Sequence, residues 1–492
     1  MSLKRGEIVE LSIVESAFGG NGIAKIPTDK GDFILFVPNT IKGQKVSARV
    51  VKSKKNFAEC KLVAIITPSS DEVDIPYQLI SGAPFAKLPI ELQKEQKKTQ
   101  ALEIYKRIGK VENLATVFDE YIESPAVWHY RNKMEYSFSA IGYDVEKGEE
   151  FDGFALGFKK RGTWWIVENL EKDSGLFDAE FENKLKEIRH FCEATHLPAW
   201  HPPKKIGFFR YLVVRKSYLT NQFLIKLVTS SEGMVNFDFD GFTNLVIDLF
   251  KDKVAGLLHT VNDDIGDNSQ SRLGHETILF GKNVLKEELL GLTFEISMQS
   301  FFQTNPKCAE LLYSKAITYA LENNSTISDG VVMDLFCGTG TIGQLIATKT
   351  NGKVIGVDIV EEAIINAKEN ANINNIHNIE FFAADVNKFL YEYPEYQNKI
   401  NTIILDPPRA GISKKTLIRT LELNANQIVY VSCNPATQAR DMEELFNAGY
   451  QLKKLSLVDQ FPHTAHIEAV ALFIKEQGEN ERRREGEKVR MI

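Results

Sequence analysis

Cysteine is scarce in this 492-residue chain, and its spacing excludes two classes of protein at once. The five residues, Cys60, Cys192, Cys308, Cys337 and Cys433, never form a CxxC pair. That pattern is neither a disulfide framework nor a cysteine zinc site, and it suits a reducing compartment. Long apolar runs are missing too, for none approaches the roughly 20 residues of a membrane span. No N-terminal stretch joins a basic start to an apolar core and a small-residue cleavage site. The expectation is therefore a cytoplasmic protein with no membrane partner. Positive charge is also in deficit. The formal net charge is -7, unlike the basic footprint of a typical nucleic-acid binder. The deficit is uneven, because residues 1–61 hold eleven Lys/Arg against six Asp/Glu.

A chain of this length needs two or three cores. Residues 6–65 carry short alternating segments, Gly6 to Val14, Phe33 to Val37 and Lys45 to Lys52. A glycine turn is expected at Phe18 to Ala24, and Pro38-Asn39 closes one strand. This spacing suggests a small OB-like β-barrel over 1–66. Its loop Lys52-Ser-Lys-Lys-Asn-Phe57 mixes cations with an aromatic, which suits phosphates and bases, although a solvated charged turn is the favoured reading of the loop taken alone. Residues 67–290 mix strands and helices as a central α+β domain, with helices near 89–112 and from Asp178 to Ala194. From 291 to 475 strands and helices alternate. Strands are expected at Val331–Phe336, Lys353–Asp358, Ile379–Ala383, Thr402–Leu405 and Ile428–Ser432. That is an α/β, doubly wound sheet with its ligand site at the carboxyl ends of the strands. The tail 476–492 lacks apolar periodicity and is expected to be disordered.

The segment Asp334-Leu-Phe-Cys-Gly-Thr-Gly-Thr-Ile-Gly343 puts glycines where a strand turns into a helix. Gly338, Gly340 and Gly343 fit a GxGxxG pattern, so a nicotinamide enzyme must be weighed. Against it stand Asp334, placed to orient a cofactor's amino acid moiety, and the absence of a dehydrogenase-like catalytic pair. Asp358, twenty residues after Gly338, ends the next strand where ribose hydroxyls would be met. Asp406-Pro-Pro-Arg409 resembles the substrate-facing motif of amino-methyltransferases. The favoured cofactor is S-adenosylmethionine.

Cys433, in Val431-Ser-Cys-Asn-Pro435, ends a strand at the ligand edge of the sheet, because Asn434-Pro435 breaks it there. A buried cysteine is usually inert. A methyltransferase needs a thiol only when its target atom is a poor nucleophile, as carbon-5 of a pyrimidine is. Thiolate addition at carbon-6 activates carbon-5, and a base must later remove the carbon-5 proton. Glu468, opening an apolar strand after Phe461-Pro-His-Thr-Ala-His466, is the candidate base, its pKa raised by desolvation. His463 and His466 read more simply as structural histidines, and Cys337 as part of the turn.

These motifs together resemble the RNA (uracil-5-)-methyltransferase family, whose members form 5-methyluridine in tRNA or large-subunit rRNA. Further matches are Gly19-Gly-Asn-Gly-Ile-Ala-Lys25, Phe36-Val-Pro38 and Gly43-Gln-Lys-Val46, which resemble a TRAM domain. Tyr130-Arg-Asn-Lys-Met-Glu135, Leu156-Gly-Phe158 and Ser300-Phe-Phe-Gln-Thr-Asn305 match family signatures of the later regions. The resemblance implies a Rossmann-like methyltransferase sheet, cofactor contacts at Gln303, Phe336, Gly338, Gly340, Thr341, Asp358, Asp385 and Asp406, the nucleophile at Cys433 and the base at Glu468. It implies an RNA partner, rRNA rather than tRNA, since the tRNA-specific bacterial branch usually lacks a TRAM domain. A monomer is the default expectation. Many relatives hold a [4Fe-4S] cluster through three cysteines after the TRAM domain and a fourth in the middle domain. Here Asp74 to Phe85 contains no cysteine, and the fourth position falls at Ser174 or Gly175. These side chains cannot replace thiolates, so no iron–sulfur cluster is expected, with hydrophobic packing around Pro84 and Phe85 instead. Cytosine-5 methylation shares the covalent logic, but those enzymes carry a second cysteine after the strand-four proline. An idle RNA-binding module would have lost Cys433, Glu468 or the glycine turn.

Overall fold

The computed structural model describes residues 3–29, 31–269, 274–322 and 330–476. The expected disorder of the tail falls, apart from Glu476, outside these residues. The N-terminal sheet has six strands, ordered Ile8–Ser12, Lys45–Ser53, Phe57–Thr67, Gly31–Pro38, Asn21–Thr28 and Glu15–Ala17. Alternation builds it: Phe33, Leu35 and Val37 are buried together with Val46, Ala48 and Val50, while their neighbours face outward. The glycine turn is shorter than expected. It ends at Gly20, and Asn21 to Ala24 already pair with Pro38 to Leu35. Gly19 and Gly20, at φ 88° and 79°, make the left-handed turn that side chains would resist.

A seven-stranded sheet follows, ordered Val167–Asn169, Glu149–Lys159, Lys133–Asp144, Phe209–Lys216, Phe223–Thr229, Val254–Val261 and Glu276–Gly281. The helix expected from Asp178 is two pieces, Ala179–Asn183 and Leu185–Ala194. Asp178 caps the first by accepting from the Phe181 amide (3.0 Å).

The C-terminal sheet runs Ile379–Ala383, Val354–Asp358, Val331–Leu335, Ile400–Leu405, Gln427–Ser432, Glu468–Lys475, Tyr450–Val458 and Phe118–Ile122. Its first five strands are parallel, and all but the edge strand Ile379–Ala383 are apolar runs buried on both faces. Strand order reverses between Val331–Leu335 and Ile400–Leu405, and the carboxyl ends flanking this switch point are where a ligand crevice forms. Two additions come from before residue 123. Phe118–Ile122 pairs in parallel with Tyr450–Val458. The helix Ile90–Arg107 buries Ala101 and Tyr105 in the same core, and Tyr105 donates to Gln438 Oε1 (2.6 Å).

Candidate active site

The glycine turn is fastened by two carboxylates. The Gly338 amide donates to Asp358 Oδ2 (2.9 Å), whose other oxygen accepts from the Val360 amide (2.9 Å). The Gly343 amide donates to Asp334 Oδ2 (2.9 Å). Gly338 and Gly340 sit at φ 53° and 72°, and Phe336 just before them is at 64°. A bulky residue in the left-handed region is strained, so the turn is held by its surroundings. A Cβ on Gly340 would fall 2.4 Å from the Phe381 ring, whereas one on Gly338 would meet nothing within 4 Å. The turn is therefore packed on its sheet side and open on the other. Thr341 begins the following helix, Thr341–Ala347, and is buried.

Asp334 is 1% exposed, and its Oδ1 has no hydrogen-bond partner among the described residues. Burial, then the charges of Asp406 and Asp358, push its carboxyl up to about 8 against the pull of the Gly343 amide. Asp406, half-buried after the Ile400–Leu405 strand, is pushed up to about 7 by burial. An acceptor without a donor, and carboxyls short of counter-charge, suit a ligand bearing an ammonium group and positive charge. Together with the open face of Gly338, they fit the amino acid end of S-adenosylmethionine.

Register brings the reactive pair together. Ser432 pairs with Ala469 across antiparallel strands, so Cys433 and Glu468 stand level at the next position. Glu468 is 3% exposed, and burial followed by Asp406 pushes its carboxyl up to about 8. The Cys433 thiol is half-buried. Burial, then Glu468 and Asp406, push it up to about 11, while Arg409 pulls it back. Asn434 holds the neighbouring loops together, its Nδ2 donating to the Arg409 carbonyl (3.4 Å) and its Oδ1 accepting from the Ala436 amide (3.2 Å). Pro435 then opens the helix Pro435–Asn447.

Gln303 is buried, and its Oε1 accepts from Gln460 Nε2 (3.4 Å). Asp385 follows the Ile379–Ala383 strand, next to Ala384, whose amide donates to the Asp358 carbonyl (2.8 Å). Asp385 is exposed and caps the helix Val386–Glu392 by accepting from the Lys388 amide (3.0 Å), which is a sufficient structural reason for an aspartate there. His463 is stacked on Trp128 at 3.6 Å and bonded to Gln93, while His466 accepts from Arg409 (3.3 Å). Burial pulls both imidazoles down to about 4, leaving them neutral near pH 7. Tyr313 escapes a sequence reading. It lies on the buried face of the helix Pro306–Leu321 and reads as core. Its hydroxyl bonds Gln303 and feels Asp406, Glu468 and Asp334. The signal was available, since a buried tyrosine hydroxyl needs a polar partner.

Among the described residues no three His, Cys, Asp or Glu gather as a metal site. The cysteine-free stretch 74–85 is tied by polar bonds as well as by apolar packing. Gln78 donates to the Asn169 carbonyl (2.7 Å) and accepts from the Glu171 amide (2.9 Å), and Ser81 donates to Glu168 (2.9 Å). Tyr77 packs on Trp128 at 4.5 Å beside Gly175, and Phe85 is buried with Ile41 and Leu88.

Comparison with known proteins points to one family. The model of the tRNA (uracil-5-)-methyltransferase family matches residues 268–476, and that of the TRAM domain matches residues 2–63. An uncharacterized RNA methyltransferase of Clostridium acetobutylicum is 37% identical over 96% of this chain and 98% of its own length. Another, from Caldanaerobacter subterraneus subsp. tengcongensis, is 37% identical over 96% and 100%. The Pyrococcus abyssi tRNA (uracil-54, C5)-methyltransferase, solved with S-adenosyl-L-homocysteine, superimposes with a TM-score of 0.69 at 26% identity, covering 95% of this chain and 100% of that one. The chain belongs to the (uracil-5-)-methyltransferase family of RNA-modifying enzymes.

Proposed function

We propose that this enzyme forms 5-methyluridine in ribosomal RNA, with Cys433 as covalent nucleophile and Glu468 as the base. The observation that carries the reading is the strand register that sets the thiol and the buried carboxyl side by side. The Cys433 thiolate adds to carbon-6 of the uracil, and the ring becomes an enolate whose electron density lies at carbon-5. S-adenosylmethionine supplies the electrophilic methyl group that carbon-5 takes. Gln303, Phe336, Gly338, Gly340, Thr341, Asp358, Asp385 and Asp406 are the residues assigned to hold it. Glu468 then removes the carbon-5 proton, the carbon-5/carbon-6 double bond re-forms, and the carbon–sulfur bond to Cys433 breaks. A carboxyl near 8 is well tuned for this step, since a base works best with a pKa near the operating pH.

The TRAM match supports rRNA, by the family resemblance already stated. A second reading, a tRNA uridine, is favoured by the Pyrococcus abyssi relative, which acts on uracil-54 of tRNA. Purified enzyme, methyl-labelled S-adenosylmethionine and total RNA from a deletion strain separate the two. Label is expected in 5-methyluridine of large-subunit rRNA. Label confined to tRNA moves the substrate to the second reading, and no labelled 5-methyluridine overturns both. RNA carrying 5-fluorouridine at the target has no removable proton and should leave a denaturation-resistant adduct on wild type, absent from Cys433→Ala.

A further inference from the structure

Two consecutive tryptophans, Trp164 and Trp165, stand exposed at 54% and 37% on the turn between Glu149–Lys159 and Val167–Asn169. Their neighbours Thr163 and Ile166 are both 1% exposed, so the turn is anchored and the indoles project from it. Large indoles are usually well buried. The two rings are nearly perpendicular, at 84° with centroids 5.6 Å apart. Each therefore offers a face in a different plane.

The same turn carries Arg161, and it stands where the N-terminal sheet meets the loop that leads into Glu468. The Arg161 amide donates to Ser81 Oγ (2.7 Å), and its guanidinium donates to the Gly19 carbonyl (2.6 Å) of the glycine turn. A Cβ built on Gly20 would touch both Ala465 (2.7 Å) and Arg161 Nη1 (3.5 Å). Arg161 thus sits beside the loop that leads into Glu468. Arg161 also feels the like charge of Arg409, which itself influences Cys433, and His466 feels Arg409, Arg161 and Arg131 together. Among the described residues none of these three arginines has a carboxylate within ion-pair distance. Like charges brought together with no counter-ion indicate that an anion completes the arrangement.

We infer that Trp164 and Trp165 stack bases flanking the target uridine, while Arg161 and Arg409 hold the intervening phosphates at the mouth of the Cys433 cleft. This rests on RNA being the substrate. Sequence-tolerant grips on single strands combine a cationic track with aromatic faces. Perpendicular rings receive bases that have left their mutual stack. A strand must be splayed in this way to deliver a flipped uridine to a thiol. A protein partner would also cover exposed tryptophans, but it would not call for three arginines without carboxylate partners around His466, one of them acting on the reacting thiol.

The test measures binding of a labelled single-stranded RNA containing the target uridine and its flanks, by fluorescence anisotropy. The proteins are wild type, Trp164→Ala/Trp165→Ala, Trp164→Phe/Trp165→Phe and Arg161→Gln. The double alanine variant should bind at least tenfold more weakly and raise KM without lowering kcat, and the double phenylalanine variant should recover most of the loss. Arg161→Gln should reduce the slope of log affinity against log salt by about 0.7, the loss of one phosphate contact to a single strand. Unchanged melting temperatures and unchanged S-adenosylhomocysteine binding are expected throughout. Wild-type binding with an equally strong double alanine variant would overturn the stacking role alone. Failure of wild type to bind any RNA would remove the substrate reading, and this proposal with it.

Discussion

Lys97 Nζ lies 2.7 Å from Asp459 Oδ1, with both side chains buried, more than 360 positions apart in sequence. The lysine also donates to the Phe461 carbonyl (3.0 Å), and Tyr121 donates to the other Asp459 oxygen (3.2 Å). Asn305 takes the Gln460 carbonyl, Tyr130 the Pro462 carbonyl and Gln93 the His463 amide. The loop from Asp459 to Ile467 is thus pinned from several elements, and it ends on Glu468.

Removing one member of the Lys97–Asp459 pair leaves a buried charge without a partner. Lys97→Met or Asp459→Asn should each lower stability by about 3–5 kcal/mol, read as a fall in the denaturation midpoint. The combined Lys97→Met/Asp459→Asn variant, which buries no charge, should lose much less than the two single losses together. Equal, additive losses would show that the ions act independently.

Glu468 carries a linkage of definite sign. Its carboxyl rises from 4.5 to about 8 on folding, so the native state holds a proton that the unfolded chain has released. Stability attributable to this group is greatest below about pH 4.5 and is lost as pH rises toward 8, at up to about 1.4 kcal/mol per pH unit. Glu468→Gln removes the titration. Between about pH 5.5 and 8.5 the stability of the variant relative to wild type should rise by on the order of 2–4 kcal/mol, measured by urea unfolding. A difference independent of pH would mean that the carboxyl is not shifted.

Asp334, Asp406 and Glu468, raised to about 8, 7 and 8, surround the crevice. A sulfonium cation placed among them favours their ionised forms, whereas the neutral thioether of S-adenosylhomocysteine does so less. Binding of S-adenosylmethionine near pH 7 should therefore release more protons than binding of S-adenosylhomocysteine. Calorimetry in buffers of different ionisation enthalpy measures this directly. Equal proton release by the two ligands would contradict it.

The catalytic strands were readable because each is a continuous apolar run ended by Gly, Pro or Asn, and parallel sheets impose that pattern. Cys433 follows from it because it stands where such a run stops, and Glu468 because it stands where the apolar run to Lys475 begins. Phe118–Ile122 was not readable: Phe-Asp-Glu-Tyr-Ile is too short and too polar to announce a strand, and only tertiary pairing with Tyr450–Val458 makes it one. The Lys97 network was half legible. Gln93, Lys97, Ala101 and Tyr105 recur every four residues as one buried helix face, but a lysine in such a stripe normally reads as exposed. Asp459, its partner, is fixed only by the fold. Asp385 shows the opposite limit, because a sequence match cannot tell a ligand contact from a helix cap.

Arg409 supplies the last prediction. The Cys433 thiol stands near 11, raised by burial, Glu468 and Asp406, and Arg409 is the cation that opposes them. Thiolate rather than thiol attacks, so the reactive fraction at a given pH depends on this balance. Arg409→Gln should raise the thiol further and slow alkylation of Cys433 by iodoacetamide several-fold near pH 8, with the pH profile displaced upward. Arg409→Lys keeps the charge and should keep most of the rate. Glu468→Gln should act in the opposite sense, since it removes the stronger of the two opposing negative charges, and should speed alkylation while abolishing turnover. If Arg409→Gln and Glu468→Gln shifted the alkylation profile in the same direction, the thiol would be governed by access to the cleft rather than by these charges.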